Sequence, residues 1–270
     1  MNEVTRLQIV ESLRAVGIQR GDGMIVHAAI QFLGRPVGGV GIYWDAFREA
    51  LGPEGTLVVP TFNFGFCRGL SFDPESTPSE KMGVFAEHVR KLPVARRSSH
   101  PMQSVAAIGR YAEDLAGRDT PSAFDPGSGF DRMLELDFGM VLLGASIQTV
   151  SMVHYCEQKV GVPYRYWKDF RGIVGSGGQK REATYRMFAR DLDLDPRIDQ
   201  VPIQRALEAM GAWKETRLNY GTVAACRLRD FVAATTALLS NDPWSLVGNR
   251  AEVQQRAQAL RSERADDRPG

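Results

Sequence analysis

A chain of 270 residues, 43% apolar and 24% charged, can bury a sizeable core, which argues against disordered, collagen-like and coiled-coil classes. Its 33 Lys and Arg against 32 Asp and Glu leave a formal charge of +1, so no global field draws it to nucleic acid or a membrane. Three scattered cysteines without a CxxC argue against a disulfide framework and a cysteine-built zinc site.

The first 22 residues carry charges throughout and read as neither a signal peptide nor a membrane span, so a cytoplasmic protein is expected. Within residues 3–16, Val4, Leu7, Ile9, Val10, Leu13 and Val16 recur at helical spacing, and Gly17, Gly21 and Gly23 stop that helix. Met24–Ile30 reads as a short buried strand. Gly34–Gly41 is a loop with four glycines in eight positions, Ile42–Leu51 a helix, and Gly55–Pro60 a second strand closed by its proline. This βαβ order predicts an α/β fold with a mainly parallel or mixed central sheet flanked by helices. Residues 63–80 read as a surface loop, Val84–Lys91 as a helix and Arg96–Pro101 as a polar turn. Met140–Gly144 is a buried strand, followed by a helix over Ser151–Val160. Residues 163–170 mix aromatics with charges, and Thr222–Leu228 is a strand. From Ala251 an exposed helix is expected, fraying at 266–270 and offering a surface where two copies could pair into a homodimer. One domain is expected over 1–250, with 160–220 offered as a substrate-side subdomain and 251–270 as a tail.

Of four histidines, His154 is the most informative. It opens the helix after a buried strand, at the end of the sheet where α/β sites form. Glu157, three residues on, shares its helix edge, and a His–carboxylate pair is what general base catalysis uses. An ordinary helical histidine with an acidic neighbour fits the same spacing. The Gly34–Gly41 loop suits the approach of a diphosphate to backbone N–H groups, or a plain tight turn; it is neither GxGxxG nor a phosphate loop. Arg90, Lys91, Arg96 and Arg97 form a basic cluster able to hold phosphate or to end a helix in solvent. Cys156 lies on the buried face and reads as inert. The histidines lack metal-site spacing, so no metal is expected, and a metal-dependent hydrolase stands as a rival class.

Together these segments resemble the aminoglycoside 3-N-acetyltransferase (antibiotic acetyltransferase) family. The blocks are Val26-His27-Ala28-Ala29-Ile30, Leu33-Gly34-Arg35-Pro36-Val37-Gly38-Gly39 and Glu54 through Phe62. Arg97-Ser98-Ser99-His100-Pro101 through Gly109, Leu142-Leu143-Gly144 and Ser151 through Glu157 follow in the family's order. The resemblance implies an α/β fold distinct from GNAT enzymes and transfer of acetyl from acetyl-CoA to an amine of an aminoglycoside or related amino sugar. It implies His154 as general base, Glu157 as its carboxylate and Ser151 as a neighbouring hydroxyl. Coenzyme contacts are implied at His27, Ala28, Ala29, Val37, Gly38, Gly39, Arg97, Ser98 and Ser104, and acceptor contacts at Phe62, Tyr164, Arg165 and Tyr166. The chain departs from the pattern where Ala28 and Ala29 replace hydroxyl-bearing positions and Val150-Ser151 replaces Asn-Thr. The family's acidic substrate loops are not evident; Asp191, Asp193 and Asp195 either supply part of that charge or form a solvated turn. The Tyr164–Lys168 block suits a sugar phosphate or nucleotide equally, which keeps a nucleotide-linked amino sugar open as acceptor. A non-catalytic scaffold that only binds CoA is the remaining alternative.

Overall fold

The structure, a computed structural model, describes residues 2–176 and 178–266. Three apolar runs make the heart of its main sheet: β2 (Gly23–Ala28), β4 (Thr56–Pro60) and β7 (Gly139–Leu143). The last two are buried from end to end, because a sheet covered on both faces selects continuous apolar runs rather than alternation. β2 pairs in parallel with β4 on one side and with β7 on the other. Antiparallel strands extend both flanks: β6 (Val105–Gly109) and β5 (Arg96–Arg97) beyond β4, β11 (Gly221–Arg227) and β10 (Lys214–Leu218) beyond β7. The order β10-β11-β7-β2-β4-β6-β5 is therefore mixed.

Alternate side chains of these strands enter opposite cores. Met24, Val26, Val141 and Leu143 pack with α1 (Arg6–Ala15), α2 (Gly41–Leu51) and α3 (Gly83–Arg90). There Phe47 and Phe85 stack at 5.9 Å, each large buried side chain contributing about 1.5–3 kcal/mol. Ile25, Met140 and Leu142 face the other core. That layer holds α4 (Ala112–Ala116), α5 (Gly129–Glu135), α6 (Val153–Val160), α7 (Val201–Ala209) and α8 (Leu228–Asn241).

The first helix starts at Arg6 rather than residue 3. Thr5 and Gln8 form a reciprocal capping box, and Glu3–Val4 instead makes a two-residue strand, β1, parallel to β3 (Arg35–Pro36). The larger departure lies at 163–190. β8 (Arg165–Ser176) and β9 (Gln179–Arg190) form a separate two-stranded antiparallel sheet. It rests on a small core of Phe66, Phe72, Met102, Val174 and Tyr185. Tyr164, Leu194, Ile203 and Leu207, within the same 160–220 stretch, join the main core instead. The tail helix α9 spans Arg250–Asp266. Most of its described side chains are exposed, but its first two turns are anchored: Val253 is 0% exposed, and Glu252 and Arg256 pair with Arg197 and Asp195. Residues 267–270, where fraying was expected, lie outside the described residues. Among the described residues no helix is long and apolar enough to cross a membrane.

Candidate active site

The three parallel strands release the chain at one edge of the sheet, the end where open α/β sheets build sites. Gly144 turns the chain off β7 at φ +69, and a Cβ there would stand 2.7 Å from the Ala29 carbonyl oxygen. That turn feeds a short 3₁₀ segment, Ile147–Thr149, and then α6. Gln200, just before α7, braces it by donating to the carbonyls of Gln148 and Val150, each at 3.3 Å.

α6 carries the paired side chains. His154 Nδ1 lies 2.7 Å from Glu157 Oε2. Two lone pairs at that distance would repel, so Nδ1 carries the proton and donates, leaving Nε2 as the free acceptor. Arg165, at the start of β8, donates to the same Oε2 at 2.9 Å. Glu157 is 0% exposed and Arg165 9%, whereas the imidazole keeps 34% of its surface open. Burial pushes the Glu157 carboxyl toward protonation, but the hydrogen bond from His154 and the charge and hydrogen bond of Arg165 prevail and hold it below the usual value. Phe124 meets the His154 ring edge-to-face at 5.9 Å and closes one side of it.

Ser151 sits one turn earlier, against His27 from the end of β2. Ser151 N–H donates to His27 Nε2 at 3.1 Å, and Ser151 Oγ lies 3.0 Å from the same nitrogen. Nε2 is therefore an acceptor and the ring is neutral, in agreement with burial lowering its pKa to about 4. The Nδ1–H left over is buried without a partner, a cost of about 1–3 kcal/mol.

His154, Ser151, His27, Phe62, Arg165 and Tyr166 all line one cleft of about 820 Å³. The other expected positions fall elsewhere. Tyr164 is 0% exposed and packs on Trp244 at 5.7 Å, so its acceptor-contact role is corrected. Burial and the Glu157 charge raise its hydroxyl pKa and keep it protonated. Arg97, Ser98 and Ser104, expected as coenzyme contacts, have polar atoms already engaged within the chain. The Arg97 guanidinium donates to Thr61 Oγ1, the Thr61 carbonyl, Ser104 Oγ and the carbonyls of Pro74 and Thr77. Ser98 Oγ accepts from Val105 N–H, and Ser104 Oγ donates to the Thr61 carbonyl. His27 spends Nε2 on Ser151 and so supports that residue at the cleft wall. Ala28 ends β2 and Ala29 follows it, while Val37, Gly38 and Gly39 lie on an outer loop, the glycines at φ +95 and +83. None of these five lines the cleft. Arg90 and Lys91 pair with Glu87, and Arg96 with Glu113. Arg90, Arg96 and Arg97 face a second cleft of about 690 Å³ that contains no histidine. Cys156 is fully buried and its thiol is pushed up to about 12, which disqualifies it as a nucleophile.

Two supports escaped sequence reasoning in these roles: Arg165 as second partner of Glu157, and Gln200 as brace. Both act across elements distant in sequence, and no local pattern announces them.

An imidazole held in one tautomer at the wall of a cleft of about 820 Å³ is equipment for proton transfer to or from a bound ligand. A family model described as aminoglycoside 3-N-acetyltransferase matches residues 25–240. The chain belongs to that family and is an acyltransferase. It is 30% identical over 194 residues to aminoglycoside N(3)-acetyltransferase III of Salmonella sp, covering 65% of this chain and 68% of that one. Among solved structures it resembles a mutant of aminoglycoside acetyltransferase AAC(3)-IVa in complex with a gentamicin, at TM-score 0.78 and 25% identity, over 96% of this chain and 98% of the other. AAC-IIIb in its binary complex with CoASH shares the fold at TM-score 0.78 and 20% identity, over 89% and 97% of the two chains.

Proposed function

We propose that this chain transfers the acetyl group of acetyl-CoA to an amine of an aminoglycoside or related amino sugar, directly and within a ternary complex. The observation that carries the mechanism is the 2.7 Å contact from His154 Nδ1 to Glu157 Oε2 at the wall of the cleft. The acceptor's ammonium must lose a proton before its nitrogen can attack the thioester carbonyl. His154 Nε2 takes that proton, directly or through one water, and Glu157 stabilises the imidazolium that forms. Attack forms the C–N bond and the oxyanion. The oxyanion then collapses and the C–S bond breaks. The departing thiolate takes the second proton from the adduct nitrogen, directly or through one water, and the His154 imidazolium releases its own proton to solvent. Ser151 is not the oxyanion donor in this reading, because its N–H and hydroxyl proton are both directed at His27. Its oxygen instead offers a lone pair to the second N–H of the incoming amine. With Cys156 buried, no acyl-enzyme is needed.

The test is thiol release from acetyl-CoA by the purified chain against a panel of amines, together with a crystal soaked with the coenzyme. Amine-dependent release with the CoA sulfur at the His154 end of the cleft is expected. A sulfur seated in the second cleft, away from His154, would refute the assignment.

A further inference from the structure

The charged residues that line the His154 cleft are Arg68, Arg165, Lys168 and Arg190; among the described residues no carboxylate lines it. Glu157 stands behind the imidazole, fully buried and already neutralised by Arg165. The loop expected to bring acid to the cleft does other work. Asp191 Oδ1 accepts the backbone N–H groups of Asp193 and Leu194, and Asp195 pairs with Arg256 of the tail helix at 3.5 Å. A polycationic acceptor would enter a cleft of its own sign, where charge complementarity opposes it.

The cations differ in what already satisfies them. Arg165 has Glu157, Arg68 has Glu80 at 3.3 Å, and Arg190 donates to the Pro196 carbonyl. Lys168 is exposed and has no carboxylate partner among the described residues; its Nζ sits 5.5 Å over the Phe170 ring. Tyr166, Lys168 and Phe170 alternate along β8, which puts all three on one face, and all three line the cleft. An ammonium between two aromatic side chains, with Arg68 also on the cleft wall, recognises a phosphate next to a sugar or base ring.

We infer that the acceptor amine belongs to a molecule that also carries a phosphate-class anion, held by Lys168 between Tyr166 and Phe170. This rests on the acetyltransferase reading above and narrows its substrate. A sugar monophosphate and a nucleotide-linked amino sugar share the chemistry. So does the coenzyme, which the experiment must separate from them.

Acetyl transfer is measured with the full chain and four acceptors: glucosamine, glucosamine 6-phosphate, a uridine diphosphate-linked amino sugar and gentamicin. At least one phosphorylated acceptor should exceed gentamicin in kcat/KM by roughly tenfold or more, the size of one charge-assisted contact. The better of the two tells monophosphate from nucleotide. Lys168→Glu should lower that value by roughly tenfold while the KM for acetyl-CoA stays within about twofold. Preference for gentamicin overturns the inference. So does a Lys168→Glu variant whose acetyl-CoA KM rises while all acceptors fall alike, because the lysine then serves the coenzyme. Acetyl-CoA binding by calorimetry without transfer to any of the four also overturns it, and leaves the acetyltransferase reading standing. Absence of acetyl-CoA binding defeats that reading, and the inference with it.

Discussion

At the carboxyl edge of β2, β4 and β7, nearly every polar side chain is tied to another: His154 to Glu157, Glu157 to Arg165, Ser151 to His27, Arg97 to Thr61 and Ser104. On the hairpin wall facing it, Tyr166 and Lys168 project from β8 with much of their surface free. The edge belongs to a core of two layers, whereas the wall rests on a cluster of five buried residues. The difference separates two tasks. Proton transfer needs one geometry, and interlocked partners enforce it. Acceptor choice needs exchangeable contacts, and a two-stranded ribbon supplies them at small cost to the fold.

The sharpest way to break this comparison is His154→Ala, which should lower kcat by roughly 10²–10⁴-fold while coenzyme binding, read by calorimetry, is kept. Unchanged turnover would mean that the edge is scaffold and the chemistry lies elsewhere. Glu157→Ala strikes the interlocking itself. It strands the buried Arg165 guanidinium, so a stability loss of about 3–5 kcal/mol in denaturant unfolding is expected, along with a fall in kcat. A variant that lost turnover with no change in stability would show that the carboxylate is not structurally coupled.

Acid probes the same region more gently. Burial lowers both His27 and His100 from the ordinary 6.5 to about 4. Between those values the unfolded chain binds more protons than the folded one, so stability is complete above pH 6.5 and declines as pH falls toward 4. The melting temperature should drop across that window, and His27→Phe should flatten part of the drop; a level profile would contradict neutral buried imidazoles. The smallest effect belongs to the wall. Tyr166→Ala should change unfolding free energy by less than about 0.5 kcal/mol, as exposed positions do, yet raise the acceptor KM.

The sequence made one half of this comparison readable. β2, β4 and β7 were legible as continuous apolar runs, and the His154–Glu157 pair as an i,i+3 spacing, because both are local patterns. The hairpin was not. Charges occupy both faces of Arg165–Ser176, so no period of two emerged from that segment. The same blindness put Tyr164 beside Arg165 and Tyr166 as a ligand contact. A strand's alternation and the turn into it decide which aromatic faces water, and Tyr164 falls inside. The His27–Ser151 contact joins residues 124 apart in sequence, and only the parallel pairing of β2 with β7 brings them together.

That pairing has a kinetic corollary. The proton-accepting group, its hydroxyl neighbour and the imidazole beneath them come from chain segments that meet only after long loops have closed. No fragment ending before β7 holds any part of the machinery in register. During renaturation, recovered turnover should therefore lag behind helix formation and rise together with the last distant strand contact.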